Sequence, residues 1–177
     1  MTEKDIAMIA EIFGTLYKPH PWHGLPIGNE FPEIVNVYIE IVPTDTMKYE
    51  MDKRTGHLKI DRPQRFSNFC PAPYGFIPQT FCDEKVGEFC GLKINRKGMK
   101  GDGDPLDICV LTEKDLNQGG ITLTANPIGG LRMIDGDEAD DKIIAVLKDD
   151  AVYGRYQDIS ECPPQVRSEE HTSELQS

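Results

Sequence analysis

The sequence predicts a mainly β protein with flanking helices, an α+β class, built around a closed or partly closed antiparallel β-barrel. Short stretches of alternating apolar and polar residues, rich in β-branched side chains, recur along the chain and are separated by turn signals, a pattern typical of barrels. One amphipathic helix is predicted before the first of these stretches. The 177 residues suffice for one domain with its own core.

The N-terminal segment is predicted to form a short helix that packs on the domain. Thr2 is a candidate N-cap, with Asp5 three residues further on. Apolar side chains then recur at helical spacing: Ile6, Ile9, Ile12, Phe13 and Leu16.

The stretch VNVYIEIV, residues 35–42, alternates and predicts the first strand. Val37, Ile39 and Ile41 share one face, while Glu40 lies on the other face. A second strand is predicted over 47–52, a turn over KRTG, 53–56, and a third strand over 57–61.

Further strands are predicted over 105–111, 120–135 and 142–147. Residues 83–101 are polar and rich in Gly and Lys, which indicates a long excursion or hairpin. The stretch DISECPPQV predicts the start of a helix, with Ser160 as the cap and Pro163 or Pro164 in its first turn.

The charge balance excludes several partners. Lys and Arg number 19 against 30 Asp and Glu, a net charge of −11. Nucleic acid and acidic membrane surfaces would be repelled, so we expect neither as a partner. Five cysteines at irregular spacing, with no CxxC pair and no export signal, favour reduced thiols and a cytoplasmic location.

Three aspartates stand at the entrance of an apolar strand in GDGDPLDICVL: Asp102, Asp104 and Asp107. Carboxylates are hard oxygen ligands suited to Mg²⁺, Mn²⁺ or Ca²⁺. A solvated acidic turn is the alternative. An EF-hand loop fits poorly, because Glu113 falls at position twelve from Asp102 but Leu106 replaces a ligand and Asp107 replaces the required Gly.

A second acidic cluster, DGDEADDK, precedes the strand at 142–147 and contributes Asp135, Asp137, Glu138, Asp140 and Asp141. It is either a solvated loop or, together with the first cluster, a site for several divalent ions. Cations lie among these anions, at Lys48 beside Glu50, at Arg62 and at Lys142. Hard cations with Lys and Arg complement a phosphate ester or anhydride.

Other chemistries find little support. The chain contains no GxxxxGK[ST] phosphate loop and no GxSxG motif. His20 and His23 in HPWHG lack a third ligand, so structural packing is the favoured interpretation.

DGDPLD followed by an apolar strand resembles the signature of the soluble family I inorganic pyrophosphatases. The resemblance extends in order through YIEI, KYEMDKRTGHLKIDR, FCPAPYGFIP, NPIGGLRM and DDKIIAV, and covers roughly residues 35–160. It implies an OB-like antiparallel β-barrel with flanking helices and Mg²⁺-dependent hydrolysis of pyrophosphate to two orthophosphates.

The resemblance also implies a role for each matching residue. Asp102, Asp107 and Asp140 would hold the two Mg²⁺ ions that flank the attacking water, and Asp135 with Asp140 would hold an ion that arrives with the substrate. Glu40 would be another metal-associated residue, and Asp104 the general base. The phosphate-contacting residues would be Lys48, Arg62, Tyr74 and Lys142, with Glu50 in a supporting role. The full-length protein is expected to form a homo-oligomer.

Two departures from the family pattern stand out. Cys70 replaces a common Tyr, and no Tyr-Lys pair follows Lys142. Residues 167–177 match the translation of a widely used sequencing adapter, so we expect a non-native tail. The prediction is a single pyrophosphatase-like domain over 1–166 that is incomplete at its C-terminus, with impaired activity and stability. The alternatives left open are another two-metal phosphoesterase and a non-catalytic Ca²⁺-binding module.

Overall fold

The computed structural model describes residues 2–64 and 72–163. Within these ranges the chain forms, in order, α1 (Glu3–Leu16), β1 (Val35–Ile41), β2 (Met47–Met51), β3 (Leu58–Pro63), β4 (Tyr74–Phe76), α2 (Glu84–Ile94), β5 (Lys100–Gly101), β6 (Asp107–Leu111), β7 (Ile121–Leu131), β8 (Ile134–Asp135), β9 (Glu138–Ala139), β10 (Lys142–Leu147) and a 3-10 helix (Ile159–Glu161). The predicted class, mainly β with flanking helices, is confirmed. Cys70 and the predicted tail at 167–177 lie outside the described residues.

Five strands close into a barrel in the order β1–β4–β6–β10–β7. Four of the five pairings are antiparallel, as in the predicted OB-like barrel. The pairing of β6 with β10 is parallel, and it sets Asp107 beside Lys142 at the start of the two strands. This pairing places the Asp107 carboxylate next to the Lys142 ammonium group.

Alternation along the strands fills the barrel. Val37 and Ile39 of β1 pack with Ile108 and Val110 of β6 in one fully buried cluster. Gly75 stands on β4 because the strands approach closely there: a Cβ on it would lie 1.9 Å from the Tyr38 carbonyl oxygen. The predicted inward direction of Val37 and Ile39 is thereby confirmed, but a bulge between Ile39 and Ile41 puts Val42 in this cluster in place of the predicted Ile41.

Strands β2 and β3 form a separate hairpin, and β5, β9 and β8 form a small three-stranded sheet. The predicted turn at 53–56 joins the hairpin strands. The Asp52 carboxylate accepts hydrogen bonds from the Thr55 backbone N–H (2.8 Å) and hydroxyl (2.7 Å), and Gly56 takes a positive φ of 72°. Positive φ favours glycine, so the sequence of this turn suits its backbone.

The predicted excursion or hairpin over 83–101 is wrong in its first half, because residues 84–94 form helix α2. Two glycines argued against a helix, since each costs about 1 kcal/mol relative to Ala. They are there for close packing instead: a Cβ on Gly87 would lie 2.6 Å from Lys100 Cα, and one on Gly91 would lie 2.5 Å from the Arg96 carbonyl oxygen.

Helix α1 forms as predicted, and Thr2 and Asp5 make a reciprocal capping box. The expectation that it packs on the domain is wrong. Its large apolar side chains are exposed, from 40% for Ile9 to 67% for Leu16. The helix therefore presents an apolar stripe that this chain leaves uncovered.

Three boundaries differ from the sequence prediction. The predicted strand at 120–135 breaks after Leu131 into β7 and β8. Strand β4, which completes the barrel, was not predicted, because three residues are too few for a periodic signal. The short 3-10 helix is capped by Asp158, whose carboxylate accepts from the Ser160 N–H. The helix predicted to begin after Ser160 lies outside the described residues, which end at 163.

None of the helices in the described ranges has the length and apolar character that crossing a membrane requires.

Candidate active site

A cavity of about 350 Å³ lies between the β2–β3 hairpin, the barrel and the three-stranded sheet. Its polar lining comprises eight carboxylates and three lysines, an excess of five formal negative charges. The lining includes Glu40, Lys48, Glu50, Lys53, Tyr74, Asp102, Asp104, Asp107, Asp135, Glu138, Asp140 and Lys142. All the sequence-predicted site residues except Arg62 are thus brought to one place.

Lys142 forms the centre of the cavity's ionic network. Its side chain is 6% exposed, and its Nζ donates to Asp107 Oδ2 (2.9 Å), Asp140 Oδ1 (3.1 Å) and the Tyr74 hydroxyl (3.1 Å). The parallel register of β6 and β10 sets the first of these contacts. A buried lysine held by two carboxylates is a fixed positive charge inside an acidic cavity.

Tyr74, on β4, donates a short hydrogen bond to Asp107. Burial first, and then the nearby Asp107 carboxylate, raises the pKa of Tyr74 well above its ordinary value. The phenol therefore stays protonated and acts as a hydrogen-bond donor throughout the physiological range.

Glu40 is buried on the barrel side of the cavity, 8% exposed. Its Oε1 accepts a hydrogen bond of 2.6 Å from the Met51 backbone N–H, which links β1 to the hairpin. Burial is the main cause that raises the pKa of Glu40 to about 7, and repulsion from Asp107 and Glu50 adds to it. The cavity therefore disfavours ionisation of this carboxyl group.

The DGDPLD loop is held by its own backbone. Asp102 Oδ1 accepts from the Asp104 N–H at 2.9 Å, and Gly103 between them has a positive φ of 75°. Cys82 ties the loop down, because its N–H donates to the Asp104 carbonyl (2.8 Å) and its carbonyl accepts from Gly103 (2.9 Å). Burial, followed by repulsion from Asp104 and Asp107, raises the pKa of Asp102 to about 6.

The second acidic cluster divides into two parts. Asp135, Glu138 and Asp140 line the cavity. Asp137 and Asp141 instead pair with arginines: Asp137 with Arg96, and Asp141 in a two-bond contact with Arg132 (3.1 and 2.9 Å).

Burial raises the pKa of Asp140. Repulsion from Asp107 and Asp135 raises it further, and Lys142 opposes the change. Like the two raised values above, this shift reflects carboxylates gathered in a confined space.

The hairpin cations behave differently from one another. Lys48 lines the cavity, and its Nζ lies 3.5 Å from Asp61 Oδ2. Lys59 Nζ lies 3.9 Å from Glu50 Oε2. Arg62 points its guanidinium at Asp61 (2.8 Å) on an exposed face and does not line the cavity. The structure therefore does not bring Arg62 to the other predicted residues.

Two polar residues of the cavity lining, Tyr49 and Lys53, were missed by the sequence reasoning, and Glu138 was named only as a member of the second acidic cluster. The most informative is Lys53, at the hairpin turn, whose ammonium group pairs with Asp104. A lysine in a polar turn carries no signal of its own, because nothing in the sequence shows over which loop the hairpin folds.

The cavity lining suits divalent cations in its chemistry, but its side chains are not arranged around an ion. Within residues 2–64 and 72–163, no three Asp, Glu, His or Cys side chains are set to hold one ion. Ammonium groups contact the relevant oxygens instead, Lys142 at Asp107 and Asp140 and Lys53 at Asp104. The donor set itself is all oxygen and its charge is in excess, as hard divalent ions require, so the residues fit in chemistry.

The EF-hand alternative is excluded by the strand that follows the loop. Asp107–Leu111 is β6, and Glu113 lies beyond its far end, where its backbone N–H donates to Asp150. A calcium loop would need Glu113 beside Asp102, which a straight strand does not allow.

Comparison with known proteins gives one consistent result. The family model described as inorganic pyrophosphatase matches residues 37–172. The chain is 60% identical over 144 residues to the inorganic pyrophosphatase of Chlamydia trachomatis serovar L2, which covers 81% of this chain and 69% of that protein. It is 42% identical over 145 residues to a soluble inorganic pyrophosphatase of Zea mays, covering 82% of this chain and 59% of the relative.

Solved structures agree. The inorganic pyrophosphatase of Thermus thermophilus superimposes with a TM-score of 0.70 at 32% identity, covering 85% of this chain and 75% of that one. The inorganic pyrophosphatase of Neisseria gonorrhoeae gives a TM-score of 0.66 at 31% identity, with 86% and 81% covered.

Proposed function

The chain belongs to the inorganic pyrophosphatase family of enzymes, and on that premise we propose that it hydrolyses inorganic pyrophosphate to two orthophosphates with the aid of several Mg²⁺ ions. The observation that carries the proposal is the cavity itself, where eight carboxylates surround three lysines in about 350 Å³. A small, highly charged anion could balance such a site only together with cations.

Lys48, Lys142 and Tyr74 are proposed to bind the phosphate groups. The position of Lys142 is set by β10, and its Nζ would exchange one of its three present hydrogen bonds for a phosphate oxygen. Tyr74 keeps its proton because its pKa is raised well above the usual value, and it would exchange its bond to Asp107 for a phosphate oxygen. Arg62 would have to swing from Asp61 to join them, which makes its proposed role the least supported of the four.

Glu40, Asp102, Asp107, Asp135 and Asp140 are proposed to hold the Mg²⁺ ions, with Glu50 supporting the site from β2. When bound, Mg²⁺ supplies positive charge that lowers the pKa of water and offsets charge on the phosphate groups. The carboxylates gain from this as well, because their mutual repulsion, which raises the pKa of Asp102 and Asp140, is relieved.

Asp104 is proposed as the general base that accepts the proton of the attacking water. Its backbone is held from both sides, by Asp102 and by Cys82, so the carboxylate is presented to the cavity from a rigid loop. Its ion pair with Lys53 helps to fix the position of the carboxylate.

Phosphate release from pyrophosphate with Mg²⁺ tests the function. Asp104→Asn should lower kcat by about 100-fold or more, the usual contribution of a general base, while leaving Mg²⁺ affinity nearly unchanged. Asp137→Asn is the matched control, because this exposed aspartate of the acidic cluster pairs with Arg96 outside the cavity. If the wild-type chain releases no phosphate, the proposal fails.

The same assays separate the alternatives. A two-metal phosphoesterase acting on nucleotides would need an aromatic surface for the base; Trp22 is buried outside the cavity, so Tyr49 in the cavity lining would have to supply it. Nucleotide hydrolysis faster than pyrophosphate hydrolysis would support that alternative. A Ca²⁺-binding module would be ordered by Ca²⁺, whereas Ca²⁺ should inhibit the proposed Mg²⁺ enzyme.

Location and assembly are proposed on separate grounds. Cys82 and Cys90 are buried free thiols, which supports a reducing compartment such as the cytoplasm. The exposed apolar stripe of α1 supports a homo-oligomer, since such a surface is rarely left open. Sedimentation of the purified chain tests whether it forms a homo-oligomer.

A further inference from the structure

The segment His20–Gly24, HPWHG, lies before the family-matched region, which begins at residue 37, and outside the cavity lining. It folds into a tight turn, closed by a 2.8 Å bond from the Gly24 N–H to the His20 carbonyl. His20 Nδ1 accepts from the backbone N–H groups of Trp22 (3.2 Å) and His23 (3.3 Å). These two bonds assign the hydrogen of the neutral ring to Nε2.

His20 connects this turn to the hairpin of the site. With its hydrogen on Nε2, the ring donates to the Lys53 carbonyl at 3.2 Å. The two segments are also in close contact at Gly56, where a Cβ would lie 2.7 Å from Pro21 Cδ and 2.9 Å from His20 Cδ2. The residue whose carbonyl is held in this way is the one whose ammonium group pairs with Asp104.

Trp22 connects the same turn to the DGDPLD loop. Its ring N–H donates to the Thr80 carbonyl at 2.7 Å, and its own carbonyl accepts from the Gln79 N–H at 2.9 Å. The Thr80 hydroxyl in turn accepts from the Leu106 N–H at 2.8 Å, between Pro105 and Asp107. The indole also packs in one buried cluster with Met51 and Phe76, which both line the cavity.

We propose that His20 and Trp22 are positioning residues that hold the hairpin turn and the DGDPLD loop at a fixed separation, so that the Lys53 ammonium group faces Asp104. The proposal rests on the proposed function, because the group that the Lys53 ammonium contacts, Asp104, is the general base proposed there. His20 bonds to the hairpin side of the cavity, and Trp22 bonds to the segment that holds the DGDPLD loop. A segment that only fills space would not need bonds to both.

The main experiment is a double-mutant cycle measured as kcat/KM for pyrophosphate. His20→Asn keeps an acceptor for the turn but cannot reach the Lys53 carbonyl, whereas His20→Gln can place an amide N–H where Nε2 lies. Lys53→Met removes the ammonium group on which His20 is proposed to act. His23→Asn is the control, because it removes a ring stacked on His20 and Trp22 but no side-chain bond to the hairpin.

We expect His20→Asn to lower kcat/KM about fivefold, the effect of one hydrogen bond, and His23→Asn to change it less than about twofold. His20→Gln should lie closer to wild type than His20→Asn. In the Lys53→Met background, His20→Asn should lower kcat/KM by less than about twofold. Equal losses in both backgrounds, or a larger loss for His20→Gln than for His20→Asn, would overturn the proposal.

Amide hydrogen exchange of the metal-free protein gives a readout that does not depend on activity. His20→Asn should speed exchange over residues 52–58, and His23→Asn should not. Unchanged exchange in this hairpin would overturn the proposed role of His20, even if the enzyme is active. If the wild-type chain releases no phosphate but His20→Asn still speeds exchange, the proposed function fails, and the positioning of the hairpin by His20 stands.

Discussion

Glu40→Gln should make the metal-free protein more stable at alkaline pH. The substitution keeps the Oε1 acceptor for the Met51 N–H and removes the possibility of a buried negative charge. Burial, with repulsion from Asp107 and Glu50, raises the pKa of Glu40 from 4.5 to about 7. Because the folded-state pKa lies above the unfolded value, this group's contribution to stability is complete below pH 4.5 and is lost as the pH rises through 7.

The size of the effect follows from the two pKa values. Ionising Glu40 inside the fold costs about 3 kcal/mol relative to ionising it in the unfolded chain. The free energy of unfolding of Glu40→Gln minus that of wild type should therefore grow by about 2 to 3 kcal/mol between pH 5 and pH 8. The raised pKa values of Asp102 and Asp140 act in both proteins, so they largely cancel in this difference.

Urea unfolding with a chelator present, at several pH values between 5 and 8, measures this difference. Glu33→Gln, an exposed glutamate just before β1, is the control and should show no such growth. A constant difference between Glu40→Gln and wild type across this range would refute the reasoning. Equal growth in the control would assign the effect to net charge instead of burial.

Three other changes test different parts of the structure. Gly75→Ala should cost more than about 3 kcal/mol of unfolding free energy, because a Cβ would lie 1.9 Å from the Tyr38 carbonyl oxygen, whereas Gly14→Ala in the open helix α1 should be neutral or stabilising. Lys142→Met should cost the metal-free protein about 2 kcal/mol in urea unfolding, since it leaves two partly buried carboxylates without their ammonium partner, and a loss below about 1 kcal/mol would show that the network contributes little. Ile9→Asp should leave Tm unchanged and reduce self-association in sedimentation, and a large fall in Tm would mean that α1 packs on the domain after all.

Strand alternation made much of the barrel predictable. In β1, the alternation of apolar side chains identified both the inward face and the outward Glu40. The same reasoning placed Asp107 in the site while Ile108 entered the core. In both cases a period of two residues decides the direction of a side chain, and the sequence displays that period directly.

Contacts between distant segments were less predictable. Helix α2 was missed because Gly87 and Gly91 lower helix propensity, and only the close approach of Lys100 to Gly87 and of the Arg96 carbonyl to Gly91 explains their presence. Lys53 was missed for a related reason. Its contact with Asp104 depends on how the hairpin folds over the loop, which no local pattern encodes.

Helix α1 shows the opposite limit. Its cap and its apolar periodicity predicted the helix correctly, and the same periodicity led to the wrong expectation that the domain covers it. An amphipathic pattern indicates that a helix has a face to bury, and it does not identify the surface that buries it.

Parallel pairing of β6 and β10 obliges the chain to return through β7 before Asp107 can meet Lys142. Contacts between such distant segments form slowly, because the loop must close before any of them is gained. Until then the acidic segments remain hydrated and apart, and their repulsion does not oppose the early steps of folding. We therefore expect the candidate site to assemble late in folding, with phosphate release returning during refolding only after β6 and β10 have paired.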